Sequence, residues 1–510
     1  MKFERRPAAG PENLSTQPTT LRPVDPGTLD VKHSAFPYQA AAAREAKRLS
    51  YVGLFHEQGL GKTKIALDLA ISWLVESVVD SVLVVTKKSL VENWEREIRI
   101  HTHLRPTVLG QDRNANFFAF NRPSRLYVTH YEVVNSQKGR FRLFAQSRQL
   151  GVILDEAQRI KNPATLAARA LHDLAPLFPR RVAMTGTPVA NRPYDLWSLV
   201  YFLDLGASLG ESFEKFKAAT ELPSTGDRRS RVATFEKTLS RVSAKIRPFT
   251  IRETKNSAML ELPEKDIRYT RVDLEPAQAD LYMAYRNELA AEVIRENVLH
   301  IDSAESILKR LLRLVQVASN PRLVDESYDA TSSKLLRLEE LLRSRSRSGP
   351  KAIVWTNFTG NVSAVAQKFR DLQPAEVHGR RPVAERNRDI RRFLEDRACR
   401  LLVATPGAAK EGLTLTVADY AVFLDRSFSL DDYLQAQDRI HRISQTRPCL
   451  IEILLATGTV DEWVDELLEA KHLAASLAQA DMSLSAYRAR ATYDFSETLH
   501  QILGIRSATE

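Results

Sequence analysis

The stretch of this sequence best suited to chemistry is a glycine-rich turn followed by Lys62 and Thr63. It follows the apolar run 51–55 and opens an amphipathic run, an order that predicts a strand, a phosphate-binding turn and a helix. Backbone N–H groups around Gly59 and Gly61 and the positive end of the helix would face a triphosphate. Lys62 would then reach its β and γ oxygens, and Thr63 would ligate Mg²⁺.

Two residues near this turn leave its interpretation open. The full phosphate-loop pattern has a glycine where this chain has His56, and a Gly-Lys-Thr triplet also arises by chance. Upstream, the amide of Gln39 carries the donor and the acceptor needed to read an adenine edge, although by itself this glutamine is more typical of an ordinary surface residue.

An acidic pair, Asp155 and Glu156, follows the buried-strand pattern of 151–154. Asp155 could hold the Mg²⁺ shell, while Glu156 could orient and deprotonate an attacking water. Adjacent carboxylates usually form a solvated turn, but the apolar strand that leads directly into them disfavours that interpretation.

A basic pair, Arg439 and Arg442, lies in a pattern that predicts a helix over 430–443. Residues three apart project from one helix face, so two guanidinium groups could clamp a γ-phosphate held by another domain. Taken alone, such arginines are more often partners in surface ion pairs.

The elements that must position these residues form two α/β patterns. Strands alternate with helices up to about residue 205, which predicts a mostly parallel sheet covered on both faces, and a second unit of this kind begins at Lys351. Between them the pattern is largely helical and charged. A chain of 510 residues can hold two to four such domains.

Composition and charge narrow the function classes. The net charge of +10 favours a polyanionic partner such as nucleic acid. No run of 18 apolar residues occurs, so we expect neither a membrane span nor a membrane partner. Cys399 and Cys449 are too few for a disulfide framework, and we expect two reduced thiols in a cytoplasmic protein.

Together, the motifs resemble those of the SWI/SNF-type superfamily 2 helicase-like ATPases, in order from Tyr38 to about Lys471. The Asp-Arg-x-His-Arg-Ile core is the most characteristic of them. The motifs are Gly59 to Thr63, Asp155 to Asn162, Thr185 to Pro188 with Asn191 and Asp195 to Trp197, and Gln435 to Thr446.

The resemblance implies an α/β fold with two tandem RecA-like lobes and ATP and Mg²⁺ between them. The implied domains are a disordered tail over 1–30, lobe 1 over 31–265 with a helical protrusion after 205, a helical insertion over 266–345, lobe 2 over 346–475 and a C-terminal helical tail over 476–510. By matching motifs, Gln39 would read adenine, and Gly59, Gly61, Lys62 and Thr63 would bind the nucleotide. Asp155 and Thr63 would hold the metal, and Glu156 would activate water. Arg439 and Arg442 would be arginine fingers beside Gln435. Thr185 and Thr187 would couple the state of the bound ATP to the binding of DNA.

The resemblance also implies contacts with the backbone of double-stranded DNA, which should be salt-sensitive and poor in sequence preference. The matching positions are Thr86, Lys87, Lys88, Thr129, His378, Gly379, Arg380, Thr405 and Thr414. The chain departs from the family pattern at His56, at Gln158 and near 407–412, where the lobe 2 contacts are placed in doubt.

The function implied is that of a compact bacterial or phage-like ATP-dependent translocase, cytoplasmic and associated with the nucleoid in a bacterium. It would move along duplex DNA without separating the strands and remodel DNA or protein–DNA complexes. The alternative is a nucleotide-gated DNA-binding subunit that works with a protein partner in a larger complex, such as an antiviral defence or restriction system.

Overall fold

The computed structural model describes residues 29–189, 192–220, 228–255, 257–258, 262–296, 304–345, 350–409, 414–479 and 481–490. The predicted disordered tail up to residue 28, the motif residue Asn191, the stretch from Lys410 to Gly412 and the C-terminal tail beyond residue 490 lie outside them.

The first lobe is built on a parallel seven-stranded sheet with the order β3-β4-β2-β5-β6-β1-β7. Its strands are β1 (Tyr51–Leu54), β2 (Ser81–Thr86), β3 (Thr107–Leu109), β4 (Leu126–His130), β5 (Leu150–Leu154), β6 (Arg180–Met184) and β7 (Thr250–Ile251). Strands β2, β4 and β5 are buried along their whole length, as expected for a parallel sheet covered on both faces.

The second lobe is built on a parallel six-stranded sheet with the order β10-β11-β9-β12-β13-β8. Its strands are β8 (Lys265–Val272), β9 (Lys351–Trp355), β10 (Ala375–Val377), β11 (Leu401–Ala404), β12 (Ala418–Phe423) and β13 (Cys449–Ala456). The predicted α/β class with two tandem lobes is confirmed.

Strand β8 opens the region 266–345, for which we predicted a helical insertion or linker. It pairs in parallel with β13 along its full length and closes one edge of the second sheet. Of its residues only Val272 is buried, because the strand lies at the sheet edge. Charged residues at exposed positions therefore hid the strand pattern in the sequence.

Helices cover both faces of both sheets. They are α1 (Pro37–Lys47), α2 (Lys62–Val75), α3 (Val91–His101), α4 (Arg113–Asn121), α5 (Tyr131–Ser136), α6 (Lys138–Gln146), α7 (Leu166–Leu174), α8 (Asp195–Asp204), α9 (Phe213–Thr220), α10 (Arg228–Ile246), α11 (Pro276–Glu296), α12 (Ala304–Ser319), α13 (Ser333–Ser344), α14 (Thr359–Lys368), α15 (Val383–Glu395), α16 (Leu430–Gln437), α17 (Val460–Ala478) and α18 (Leu484–Arg490). Among the helices described, none is long and apolar enough to cross a bilayer.

An apolar core continues from one lobe into the other. Helix α17, which follows the last strand of lobe 2, packs against α10 and α12. Their buried side chains join a cluster that also contains lobe 1 residues; examples are Leu239, Val242, Leu314, Trp463, Leu467 and, from lobe 1, Val189 and Trp197. Apolar packing therefore stabilises the relative placement of the lobes.

A buried carboxylate ties α12 to lobe 2. Asp425, just after β12, accepts hydrogen bonds from Ser319 Oγ at 2.8 Å, Thr356 Oγ1 at 2.5 Å and Asn361 Nδ2 at 3.2 Å. It also accepts from the backbone N–H and the side-chain amide of Asn357, at 2.7 and 3.0 Å. Because Ser319 ends α12 and the other donors belong to lobe 2, Asp425 joins the two.

Candidate active site

The glycine-rich turn lies between β1 and α2 and has left-handed backbone at both glycines. Gly59 has φ +84° and Gly61, which precedes α2, has φ +69°. A Cβ on Gly61 would lie 2.4 Å from Gln39 Nε2. The left-handed backbone favours glycine at position 61, whereas the end of the Gln39 side chain could move away from a Cβ. The turn places backbone N–H groups at the start of α2, as a phosphate loop does.

Gln39 is buried and fastens α1 to this turn. Its amide nitrogen donates to Leu60 O at 3.1 Å and to the Tyr38 hydroxyl at 3.3 Å, and its Oε1 accepts from Phe36 N at 3.0 Å. The alternative of an ordinary surface residue is therefore wrong. Its role as the adenine reader stays a prediction.

Lys62 directs its ammonium group back into the turn. Its Nζ donates to His56 O at 2.9 Å and to Glu57 O at 3.2 Å. Burial lowers the pKa of Lys62 to about 8, against the attraction of Glu156 and Asp155. Burial, followed by the charge of Lys62, lowers the pKa of His56 to about 4, so that His56 is neutral at pH 7.

Asp155 leaves the end of β5 with both carboxylate oxygens engaged. Oδ2 accepts from Thr86 Oγ1 at 2.9 Å and from Trp94 Nε1 at 2.8 Å, and Oδ1 accepts from Glu156 N at 3.0 Å. Burial and the neighbouring Glu156 raise its pKa. Thr63, in the first turn of α2, is half-buried. A hydrogen-bonded carboxylate and a hydroxyl are oxygen donors that fit Mg²⁺.

Glu156 has a left-handed backbone, φ +50°, which is uncommon for a residue other than glycine. Gln158 Nε2 donates to its Oε2 at 2.5 Å, and Lys87 Nζ lies 4.0 Å from the same atom. Burial acts to raise the pKa of Glu156, but Lys87 and then Lys62 outweigh it and the pKa is lowered. Glu156 is therefore an ionised base. The sequence did not predict that Gln158 and Lys87 contact Glu156. Lys87 reaches it because β2 and β5, whose ends precede Lys87 and Glu156, are neighbours in the sheet.

The basic pair reaches this site from lobe 2, but not from a helix. Helix α16 ends at Gln437, which corrects the predicted helix over 430–443. Arg439 O accepts from Leu415 N at 2.9 Å, a tertiary contact with the segment before β12. The Arg442 side chain crosses to lobe 1, because a Cβ on Gly59 would lie 3.4 Å from Arg442 Cγ.

Cations crowd this cleft. Burial, and then the charge of Arg442, lower the pKa of Arg439 to about 10. Burial likewise lowers the pKa of Arg442, whose NH1 donates to Thr414 Oγ1 at 3.1 Å. With Lys62 these arginines form a cationic cluster next to Glu156, in which Arg439 is buried and the other two are half-buried. Such a cluster favours a multiply charged anion.

A direct hydrogen bond joins the lobes at Thr187, beyond β6. Thr187 Oγ1 donates to Asp431 Oδ1 at 2.5 Å, and Gln435 Nε2 donates to the same oxygen at 2.7 Å. Thr185 is also buried, and its hydroxyl accepts from Thr187 N at 3.1 Å. The structure thus brings Thr185, Thr187 and Gln435 into one chain of contacts across the cleft.

Two of the predicted DNA contacts are wrong. Thr86 and Thr129 have 0% exposure; the first orients Asp155, and the second donates to Leu109 O at 2.9 Å. Their strands are covered on both faces, which the sequence pattern did not reveal for these positions. Of the others, Lys88, Gly379, Arg380 and Thr414 are exposed, Lys87 and His378 are half-buried, and Thr405 is buried.

Two domain families match the chain. The SNF2-related domain matches residues 43–323, and the helicase conserved C-terminal domain matches residues 333–444. The first covers lobe 1 with the helical region after it, and the second covers most of lobe 2. All the predicted catalytic residues lie within these two ranges.

Curated relatives are 23–28% identical to the chain over the aligned residues. A Bacillus subtilis (strain 168) protein, YwqA, whose name contains the words ATP-dependent helicase/translocase, is 28% identical over 76% of this chain and 42% of its own length. The Gallus gallus "DNA repair and recombination protein RAD54-like" is 26% identical over 80% of this chain and 61% of its own. The chain spans 35–42% of the length of several curated relatives that it matches.

Solved structures of similar sequence include the Sulfolobus solfataricus SWI2/SNF2 ATPase core in complex with dsDNA. It is 26% identical and covers 94% of this chain and 98% of its own, with a TM-score of 0.41.

Proposed function

Since the chain belongs to the SNF2-related family, we propose that it is a Mg²⁺-dependent ATPase that uses hydrolysis to move along double-stranded DNA. The observation that carries the proposal is the cluster of Lys62, Arg439 and Arg442, contributed by two lobes and placed beside the ionised Glu156. A triphosphate in the cleft would neutralise these cations, and Glu156 would orient and deprotonate the attacking water.

Each residue has a defined task in this proposal. The turn around Gly59 and Gly61 binds the phosphates through its backbone, and Lys62 leaves the carbonyls of His56 and Glu57 to contact them. Glu156, held by Gln158, takes the proton of the water that attacks the γ-phosphorus, while the bond to the bridging oxygen breaks. When bound, Mg²⁺ would be held by Thr63 and Asp155 and would offset charge on the phosphate oxygens.

Hydrolysis could produce movement if two features change with the bound nucleotide. One is the turn over 438–442 that contains Arg439 and Arg442, called the arginine turn below, and the other is the Thr187–Asp431 contact. Loss of the γ-phosphate removes an anion shared by lobe 1 and lobe 2, so the cationic cluster then repels and the lobes separate. Support for a DNA substrate comes from the net charge of +10 and from one relative named for DNA repair and recombination. We propose that the exposed Lys88, Arg380 and Thr414 contact the DNA. We also propose that the protein works in the cytoplasm.

The test is ATP turnover without nucleic acid and with single-stranded DNA, duplex DNA or duplex RNA. Lys62→Ala serves as the blank. Glu156→Gln keeps the shape of the side chain but not the base, so it should bind ATP and lose turnover by about 10² to 10⁴-fold. We expect duplex DNA, and none of the other additions, to stimulate ATP turnover strongly. In a second assay, movement along the duplex should displace the third strand of a DNA triplex.

Other outcomes contradict parts of the proposal. A low rate that is the same with all four additions would exclude an autonomous motor and favour a nucleotide-gated DNA-binding subunit with a protein partner. Retained hydrolysis in Glu156→Gln would remove Glu156 from the mechanism.

A further inference from the structure

The segment that joins the two lobes runs along the front of the phosphate-binding turn. Phe55 N donates to Ile251 O at 2.9 Å, and Glu57 N donates to Glu253 O at 2.8 Å. Lys255 N then donates to the Glu57 carboxylate, Oε2, at 2.8 Å. The backbone of Lys255 is therefore fixed to the turn that contains Lys62.

The side chain of Lys255 reaches the other lobe. Its Nζ lies 2.5 Å from Asp438 Oδ1 and donates to His441 O at 3.0 Å, while Glu57 Oε1 lies 3.8 Å away. Lys255 is only 8% exposed. One buried ammonium group thus contacts a carboxylate beside the phosphate loop and two groups of lobe 2.

The two lobe 2 groups that Lys255 contacts flank Arg439 in the sequence, and the second of them directly precedes Arg442. Asp438 precedes Arg439 in the chain, and the His441 carbonyl precedes Arg442. Because α16 ends at Gln437, no continuing helix holds this turn. The position of this turn relative to the phosphate loop depends on tertiary contacts. Lys255 makes two of them, with Asp438 before Arg439 and with His441 after it.

We infer that Lys255 is a positioning residue that sets the arginine turn against the phosphate loop through Glu57 and Asp438. The inference rests on the proposed ATPase function. Lys255 acts on the reaction through Arg439, which lies between its two lobe 2 partners, Asp438 and His441. Arginines misplaced by about 1 Å would stabilise the transition state poorly while the phosphate loop still bound ATP.

The matched pair of variants is Lys255→Met and Lys265→Met. Lys265 donates to Gln437 Oε1 at 3.3 Å, so it contacts the same end of α16 but makes no contact with the phosphate loop. Lys255→Met should lower kcat by about 100-fold, with an ATP Kd within about threefold of wild type, whereas Lys265→Met should keep kcat. Lys255→Arg retains a cation that can reach Asp438 and should restore most of the rate.

A double-mutant cycle with Arg439→Ala separates positioning from a general loss of structure. If Lys255 acts through Arg439, the double variant should turn over no more slowly than Arg439→Ala alone. Additive losses, or wild-type kcat in Lys255→Met, would overturn the inference. If Lys255→Met does not fold, Asp438→Asn removes the same ion pair from the other side and must show the same split between kcat and Kd.

This cycle also distinguishes the inference from the proposed function. Wild-type turnover in Arg439→Ala would refute the role of the arginine finger itself. A slow Arg439→Ala together with a fast Lys255→Met would refute only the positioning by Lys255.

Discussion

The protonation of Lys62 should govern ATP affinity at mildly alkaline pH. Lys62 has a pKa of about 8 in the protein, against an ordinary value of 10.5, because burial outweighs the attraction of Glu156, Asp155 and Asp438 and Arg442 adds repulsion. The charged form persists below this pKa and is lost as the pH rises through it. Since phosphate binds the ammonium form, binding should weaken above about pH 8.

The magnitude follows from the fraction of Lys62 that is protonated. That fraction falls from about 0.9 at about pH 7 to about 0.1 at about pH 9, so the Kd should rise about tenfold, or about 1.4 kcal/mol. At about pH 8, binding should take up about half a proton, because bound phosphate restores the ammonium form. The pKa of Arg439, about 10, and that of His56, about 4, lie outside this window.

Calorimetry of the wild-type protein with a non-hydrolysable ATP analogue measures both quantities, and it leaves in place Glu156, whose charge raises the Lys62 pKa. The Kd is obtained across the pH range, and the proton uptake comes from buffers with different ionisation enthalpies. Lys62→Arg is the control, since a guanidinium stays charged and its Kd should not change with pH. If the Kd of the protein that retains Lys62 does not change with pH and binding takes up no proton, the argument that burial lowers the pKa of Lys62 is refuted.

Three further substitutions test the contacts around the cleft and in lobe 2. Gly61→Ala places a Cβ 2.4 Å from Gln39 Nε2 on a left-handed residue, so it should cost about 1–2 kcal/mol of stability and weaken ATP binding; unchanged melting and Kd would contradict this. Thr187→Val removes the hydroxyl bound to Asp431, so kcat should fall about tenfold or more with little change in Kd; steady-state kinetics decide, and an unchanged kcat would count against coupling through this bond. Asp425→Ala leaves several buried donors unpaired and should lower the stability of lobe 2 by about 3 kcal/mol, seen as a lower urea midpoint; an unshifted midpoint would show that the network is not stabilising.

The sequence by itself determined the class of fold and most of the chemistry of the first lobe. Strand-and-turn patterns are local, so the glycine turn with Lys62, the strand that delivers Asp155 and Glu156, and two α/β units could be inferred from neighbouring residues. The edge strand β8 was missed because charged residues cover its exposed positions. The burial of Thr86 and Thr129 was missed because a threonine at a strand end has the same sequence pattern whether or not a helix covers it.

What only the tertiary structure decided is how the two lobes meet. Contacts between Thr187 and Asp431, or between Lys255 and Asp438, join residues about two hundred positions apart, and no periodicity encodes such pairs. The end of α16 at Gln437 has the same origin, since its helical pattern continues but Leu415 and Lys255 bind the turn instead. Local propensity is weak against several tertiary hydrogen bonds, and so the arrangement of Arg439 and Arg442 became visible only in the folded chain.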